Sequence, residues 1–115
     1  MTEIPVPGKA VRGSRSGSPI MAMFDLLGRR WAMGVLWTLT ERGPLTFRAL
    51  QDACETISPA VLNARLKELR AAGFLTQGDG GYQVTDFGEE VYKALLPLSK
   101  VSKKWADLLS AKQEA

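Results

Sequence analysis

The stretch that decides the fold runs from Ile57 to Gly73 and has the sequence ISPAVLNARLKELRAAG. Ser58 is a favourable N-cap and Pro59 suits the first helical position. Gly73 can adopt the left-handed conformation that ends many helices. The sequence therefore predicts a helix with clear ends, from Ser58 to Ala72.

The two sides of this predicted helix differ in chemistry. Leu62, Leu66 and Leu69 recur at i, i+4 and i+7, so they share one face. The residues that point away or to the side are Ala60, Asn63, Ala64, Lys67 and Ala71. Small residues beside Asn and Lys suit a helix that enters a DNA major groove, where Asn pairs with adenine and Lys reaches guanine or phosphate. Periodicity alone favours a solvated amphipathic helix over a DNA-reading one.

The residues before this helix predict a shorter one. Phe47, Leu50 and Cys54 repeat at helical spacing, and a helix over residues 47–53 followed by a turn would complete a helix-turn-helix. Leu45 and Thr46 leave room for only a stub of strand. Because Cys54 lies in the apolar phase, we expect a buried, inert thiol in preference to a redox sensor.

A hairpin is predicted after the helical pair. Two short alternating runs, residues 74–77 and 82–84, flank the glycine-rich turn of residues 78–81. A helical pair followed by a hairpin is the winged-helix order. The predicted fold class is mainly α (α+β), with the hairpin as the wing.

The N-terminal third divides into an arm and two helices. Residues 1–17 are rich in Gly, Ser and Pro, which predicts a flexible basic arm, and residues 18–115 form the single domain. Ser18 and Pro19 suit the start of a first helix that ends near Gly28, with Ile20, Met23, Phe24 and Leu27 on one face. A second helix, about residues 31–42, is apolar on most sides and is predicted to be central.

The last predicted helix starts after Thr85, its N-cap. It is longer than a small domain needs to cover its own hydrophobic core. Its apolar stripe therefore predicts a partner; its members are Val91, Leu95, Leu98, Trp105 and Leu109. Pro97 should kink or divide this helix.

Composition excludes several classes of function. The chain has 115 residues, 45% of them hydrophobic, and a net charge of +3, which suits a single globular domain. The chain has one cysteine and no histidine, which excludes an internal disulfide, a Cys/His metal site and the commonest general base. We therefore expect no enzyme, no cofactor and no metal. No apolar run approaches membrane-spanning length, so a cytoplasmic protein without a membrane partner is expected.

Taken together, these features resemble the HxlR-type winged-helix regulators of bacteria and archaea, relatives of the MarR group. The resemblance runs from Ser18 to about Trp105. It is carried by Asp25–Trp31, by Gly43–Phe47 with Leu50, by Ile57–Pro59 with Leu62, Arg65, Leu66, Leu69 and Gly73, and by Tyr82, Thr85 and Gly88. The resemblance implies a homodimeric transcription factor whose N- and C-terminal helices are dimerisation helices.

The resemblance also implies which residues meet DNA. Asn63, Ala64 and Arg65 occupy positions at which the family contacts its operator, and Ser58 and Arg48 suit phosphate contacts. Lys67, on the free face, is a further base or phosphate contact. The phase of the helix places Arg65 beside its apolar stripe, which favours a phosphate or the wing over a base edge.

Several departures limit what can be carried over. Many members begin the first helix with Cys-Pro, where this chain has Ser18-Pro19, so thiol sensing at that position is lost. A basic residue is common where this chain has Ala60, and the wing is short, with Asp79 and without Lys or Arg. The spacing from Gly88 to Trp105 is longer than usual in the family.

The main hypothesis is thus a homodimeric, sequence-specific regulator of double-stranded DNA. A second hypothesis is a regulator that binds a small apolar effector near the dimer interface, at Trp31, Trp37 or Trp105. The third is a winged-helix module that binds other proteins and no DNA.

Overall fold

The fold is that of a winged helix-turn-helix, as predicted, and the computed structural model describes residues 2–114. The elements follow in the order α1 (Pro19–Leu27), α2 (Ala32–Arg42), α3 (Phe47–Ala53), α4 (Pro59–Ala71), β1 (Leu75–Gly78), β2 (Gly81–Val84) and α5 (Asp86–Glu114). The helix-turn-helix is α3 and α4, and β1 and β2 form the wing.

The core lies where α2 and α4 meet. The largest side chains that are essentially inaccessible to solvent are Val35, Leu36, Leu39, Leu50, Leu62, Leu66 and Leu69. They come from α2, α3 and α4, so one hydrophobic cluster joins the central helix to both members of the helix-turn-helix. The prediction that α2 is central is confirmed for this side, whereas Met33 on its other side is 44% exposed.

Side-chain caps fix the starts of three helices. Thr46 Oγ1 accepts a hydrogen bond from the Ala49 amide at 3.1 Å, and Ser58 Oγ accepts one from Val61 at 3.2 Å. Thr85 Oγ1 accepts from the Gly88 amide at 3.0 Å. Each bond satisfies a backbone donor that the first helical turn leaves free. The predicted caps at Ser58 and Thr85 are therefore confirmed.

The wing is an antiparallel hairpin with a two-residue Asp79-Gly80 loop. Its register pairs Leu75 with Val84 and Gly78 with Gly81, so both strands extend one residue further into the glycine-rich turn than the sequence indicated. The Leu45 amide donates to the Tyr82 carbonyl at 3.0 Å, and the Tyr82 amide donates to the Leu45 carbonyl at 2.8 Å. This pair of bonds confirms the predicted stub of strand. The wing is thereby tied to the start of the helix-turn-helix.

Helix α1 buries only part of the apolar face identified in the sequence, namely Leu27 and, partly, Met23. Ala22, Leu26 and Leu27 are buried, whereas Ile20 and Phe24 are 54% and 58% exposed. Ser18 occupies the N-cap position without a side-chain capping bond, so only its position was correctly predicted. The exposed apolar pair leaves part of α1 available to another surface.

The N-terminal segment, residues 2–17, packs on α1, whereas its composition predicts a flexible arm. Ile4 packs against the core, and the Gly8 amide donates to the Gly17 carbonyl at 2.9 Å. The Arg12 amide donates to Asp25 of α1 at 3.2 Å. A high content of Gly and Ser raises the entropy cost of ordering the segment, but it does not reveal that Ile4 packs against the core. Flexibility in solution stays a prediction.

Helix α5 continues through Pro97, so the expected division of this helix is wrong. Proline removes one backbone donor, but the turns on either side keep theirs. Every residue from 100 to 113 is exposed, so this half of α5 projects beyond the body of the chain. Within residues 2–114, no helix combines the length and the apolar content that crossing a bilayer requires.

Gly88 and Gly34 offer a matched test of this packing. A Cβ on Gly88 would collide with the Phe74 carbonyl, whereas one on Gly34 of α2 would meet open space. We expect Gly88→Ala to lower the free energy of unfolding by about 2–3 kcal/mol. Gly34→Ala should raise it by about 0.5–1 kcal/mol, because alanine loses less backbone entropy. Urea denaturation measures both, and equal effects would contradict the close approach of α5 to Phe74.

Candidate nucleic-acid interface

Helix α4 presents one continuous exposed stripe. The exposed residues of the helix beyond its first position are Ala60, Asn63, Lys67, Arg70 and Ala71. At 3.6 residues per turn they fall within about a third of the helix circumference. The row of Leu62, Leu66 and Leu69 lies on the opposite side and is fully buried. The core therefore determines which face of α4 solvent can reach.

The stripe combines small side chains with hydrogen-bonding and cationic ones. The small side chains of Ala60 and Ala71 allow another molecule to approach the helix backbone closely. Asn63 carries both a hydrogen-bond donor and an acceptor. Lys67 and Arg70 add positive charge towards the C-terminal end. The N-terminal end is positive through the helix dipole. The whole face thus suits a polyanion with hydrogen-bonding groups.

The structure separates the sequence-predicted contact residues into two groups. The first group is exposed, as contact with DNA requires. It contains Arg48 of α3, the capping residue Ser58, and Asn63 and Lys67 of α4. Ala64 is half-buried at the edge of the stripe. Arg65 belongs to a different environment.

Arg65 points away from the exposed stripe and binds the protein itself. It lies two residues after Asn63, roughly 160° around the helix at 3.6 residues per turn. Its Nε donates to the Arg30 carbonyl at 2.7 Å, and its Nη1 donates to Glu68 at 2.7 Å. With its side chain only 18% exposed, this guanidinium is held inside the fold. The phase argument correctly placed it beside the apolar face, but its partners could not be deduced from the sequence.

Glu68 connects Arg65 to the loop between α1 and α2. One carboxylate oxygen lies 2.7 Å from Arg65 Nη1, and the other lies 2.8 Å from Arg29 Nη1. The Glu68 side chain is 13% exposed, so these charge-assisted bonds are shielded from much of the solvent. We call Arg29, Glu68, Arg65 and the Arg30 carbonyl the arginine clamp. It fastens the exposed helix to the start of α2.

The loop held by the clamp has an unusual backbone. Trp31, directly after Arg30, has a φ of 75°, in the left-handed region that residues with side chains rarely adopt. Such a conformation costs on the order of 1–3 kcal/mol. The Val35 amide donates to the Trp31 carbonyl at 2.9 Å, so the strained residue also starts α2. The bond from Arg65 to the preceding carbonyl helps to hold this turn.

Arg70 is a candidate contact residue that sequence reasoning missed. It shares the exposed stripe and donates from Nη1 to Gln77 of β1 at 3.4 Å, which links α4 to the wing. A groove of about 640 Å³ runs between these elements, with Lys67, Arg70 and Thr76 among its lining residues. The spacing from Asn63, seven residues, would have identified Arg70.

The three tryptophans do not form one site in the described chain. Trp31 is half-buried against the core, and Trp37 packs edge-on to Tyr92 of α5, with ring centroids 5.0 Å apart. Trp105 is 63% exposed and lies thirteen residues after Tyr92, about 20 Å along α5 at 1.5 Å per residue. A ligand held by all three would need a second chain.

A large apolar surface remains exposed on α1 and α5. Its members are Ile20, Phe24, Phe87, Leu98, Val101, Trp105, Leu108 and Leu109, each at least 40% exposed. From Leu98 to Leu109 they repeat every three to four residues, so they form one stripe of α5. Contiguous apolar surfaces of this kind mark interaction sites.

Cys54 lies away from these surfaces. It is buried at the end of α3, and this burial raises the pKa of its thiol above the usual value. The thiolate is the nucleophilic form of cysteine, and a higher pKa leaves less of it at neutral pH. This is the environment of an inert thiol, as the sequence indicated.

Comparison with known proteins gives one family and several related structures. The model of the HxlR-like helix-turn-helix family matches residues 26–110. An uncharacterized HTH-type transcriptional regulator of Halalkalibacterium halodurans is 33% identical over 58 residues, or 50% of this chain. The match covers 51% of that protein, so the chain spans about half the length of this curated relative.

Two similar solved structures come from Bacillus subtilis and Thermoplasma volcanium. The quinone-bound YodB of B. subtilis is 29% identical, with a TM-score of 0.64 over 77% of this chain and 96% of that one. A possible HxlR family transcriptional factor of T. volcanium has a TM-score of 0.66 over 76% of this chain and 84% of that one. At 24% identity, the latter shows a shared fold.

The arginine clamp is open to a matched test of stability. Glu68→Gln keeps the size of the side chain but removes the charge that pairs with two arginines, and we expect a loss of about 1–2 kcal/mol of unfolding free energy. Glu89→Gln is the control, because its pair with Lys93 is exposed and 3.5 Å long. That variant should change stability by less than about 0.5 kcal/mol. Equal losses in urea denaturation would contradict a structural role for the clamp.

Proposed function

The chain belongs to the HxlR-like helix-turn-helix family, and on that premise we propose that it is a homodimeric regulator that recognises specific double-stranded DNA with α4. The observation that carries this proposal is the exposed stripe of α4. It is narrow, low in profile, cationic at one end and opposed to a fully buried row of leucines. A helix of this kind fits the major groove, where base edges can be distinguished.

The residues of the stripe take different roles in the proposal. Asn63 makes the base contact, since its amide can bond to both N6 and N7 of adenine. Lys67 contacts a guanine edge or a phosphate, and Arg70 follows the DNA towards the wing. Ser58 and Arg48 bind phosphates and so set the position of the helix on the duplex.

Arg65 has an indirect role in this proposal. Its donors at Nε and Nη1 are occupied by the Arg30 carbonyl and Glu68. A base contact would require breaking both bonds, and Glu68 would keep only its pair with Arg29. We therefore assign Arg65 to the orientation of α4 and not to direct contact with the operator.

The wing contributes little positive charge to the proposed interface. Its strands and loop, residues 75–84, contain Asp79 and neither Lys nor Arg. An acidic tip repels the phosphate backbone, so the wing is not proposed to insert a cation into the minor groove. Recognition then depends mainly on α4.

Dimerisation is proposed through the apolar surface of α1 and α5. The C-terminal half of α5 has its apolar stripe in solvent, from Leu98 to Leu109, and the exposed side chains of Ile20 and Phe24 lie on α1. A twofold arrangement would cover these side chains with the same surface of a second copy. It would also place two copies of α4 in successive major grooves, about 34 Å apart.

The DNA-recognition role of Asn63 gives the direct test of the proposed function. We expect Asn63→Ala to weaken binding to a preferred duplex by about 1–3 kcal/mol, with little change on a scrambled duplex. Fluorescence anisotropy at two salt concentrations measures both. Gln113→Ala, which removes an exposed amide near the end of α5, is the control and should leave both affinities unchanged. Equal losses on the two duplexes would contradict base recognition by Asn63.

The proposed dimer predicts that charge on the α5 stripe separates the two copies. Trp105→Glu places a carboxylate in the middle of the apolar stripe and should shift the protein from dimer to monomer in sedimentation equilibrium. Lys103→Glu, on the opposite side of the same helix, is the control and should remain dimeric. DNA affinity should fall with the dimer in the first variant only. A dimeric Trp105→Glu protein would rule out this interface.

A further inference from the structure

An apolar cavity lies beneath the start of the chain, away from the exposed stripe of α4. It has a volume of about 300 Å³ and is bounded by the N-terminal segment, α1, the end of α4 and the start of α5. We propose that this cavity is a binding site for a small, uncharged, mainly aromatic molecule of about two fused rings.

The outer wall of the cavity is a proline-rich strap, residues 4–7. Ile4, Pro5 and Pro7 line the cavity, whereas Val6 between them is 40% exposed. Proline has no backbone N–H, so two of the three lining residues bring no amide donor to the cavity. The strap thus forms one wall of the cavity with apolar side chains and brings few polar groups to it.

Both ends of the strap are held in place. The Glu3 carbonyl accepts a hydrogen bond from Arg29 Nη1 at 3.5 Å, just before the strap. Immediately after it, the Gly8 amide donates to the Gly17 carbonyl at 2.9 Å. Gly17 is buried, and a Cβ there would collide with the Lys9 carbonyl, so the returning chain packs closely. The strap is therefore a defined wall of the cavity.

The inner walls are also apolar. Helix α1 contributes Ala22, Met23 and Leu26, and the opposite side is formed by Phe74 and Phe87, whose ring centroids lie 5.6 Å apart. Aromatic rings and a thioether make favourable contacts with flat apolar ligands. Every side chain that lines this cavity is apolar, which selects against a charged ligand because an unpaired buried charge is costly.

The volume sets the size of the ligand. An apolar cavity of about 150 Å³ stays dry and accepts a single benzene ring. At about 300 Å³ this cavity has room for roughly twice as much, and it lies at the lower end of the range of small-molecule sites. A fused two-ring molecule would gain dispersion contacts with the strap, with α1 and with the two phenylalanine rings.

A neighbouring groove must be distinguished from this site. It has a volume of about 340 Å³, lies between α1 and α5, and is lined by Ile20, Phe24 and Leu95. It continues into the apolar surface to which we assigned a second copy of the chain. The two sites share Met23 and Phe87, but the outer wall of the cavity is formed by residues 4–7 of the chain itself, so its occupant must be small enough to fit between the strap and α1.

Titration of the full chain with prodan, an uncharged naphthalene fluorophore whose emission shifts to the blue in apolar surroundings, tests the site. Two matched pairs of variants locate the probe. Ile4→Asp puts a charge on the lining side of the strap, and Val6→Asp puts the same charge on its exposed side. Ala72→Leu fills the cavity at the end of α4, and Ala94→Leu fills the neighbouring groove between α1 and α5.

We expect saturable binding to the wild-type protein, with the Kd raised at least about tenfold in Ile4→Asp and Ala72→Leu and less than about twofold in the other two variants. Saturating prodan should also raise the Tm of the wild-type protein, since a ligand of the folded state stabilises it. Circular dichroism confirms that each variant is folded. Binding that survives Ile4→Asp and Ala72→Leu, or that is lost in Ala94→Leu, would overturn the proposal. Because no DNA is present, this result is independent of the proposed function.

Discussion

The burial of one leucine row on α4 is the constraint on which the rest of the structure depends. Leu62, Leu66 and Leu69 are at most 1% exposed and pack with the central α2. Full burial of a leucine contributes on the order of 1.5–3 kcal/mol, so rotating α4 about its axis would forfeit several times that amount. The exposed face with Asn63 is therefore fixed by the core. The orientation of the proposed DNA-contacting face thus depends on side chains that lie outside it.

The arginine clamp adds a second constraint on the position of α4. Leucine packing resists rotation of α4, while the bonds from Glu68 and Arg65 to Arg29 and the Arg30 carbonyl fasten the helix to the loop before α2. That loop contains the left-handed Trp31, whose strain the clamp helps to offset. A polar network in this position has a specific geometry, whereas apolar contacts alone would permit small shifts. We infer that the clamp sets the angle at which α4 meets a partner.

Local signals in the sequence predicted most of the fold, because caps, glycines and helical spacing act within a few residues. Ser58, Thr85 and Gly73 marked element ends correctly, and the order of helices and hairpin indicated a winged helix. Contacts between distant residues were harder to predict. Three features depend on how elements meet in three dimensions: the pairing of Arg65 with a carbonyl 35 residues away, the partial burial of Ile4 and the exposed side of α1. Of the candidate site, the exposed positions were predictable, whereas the protein partners of Arg65 were not.

The central claim is that the exposed face of α4 meets DNA, and amide chemical-shift mapping tests it most directly. A ¹⁵N-labelled sample would be titrated with a duplex that the protein itself has selected from a random library. We expect the largest shifts at the start of α3, along Asn63, Lys67 and Arg70, and at the adjoining strand of the wing. The cationic C-terminal part of α5, with Lys100, Lys103 and Lys104, should change little. The largest shifts on α5, with α4 unaffected, would contradict the account.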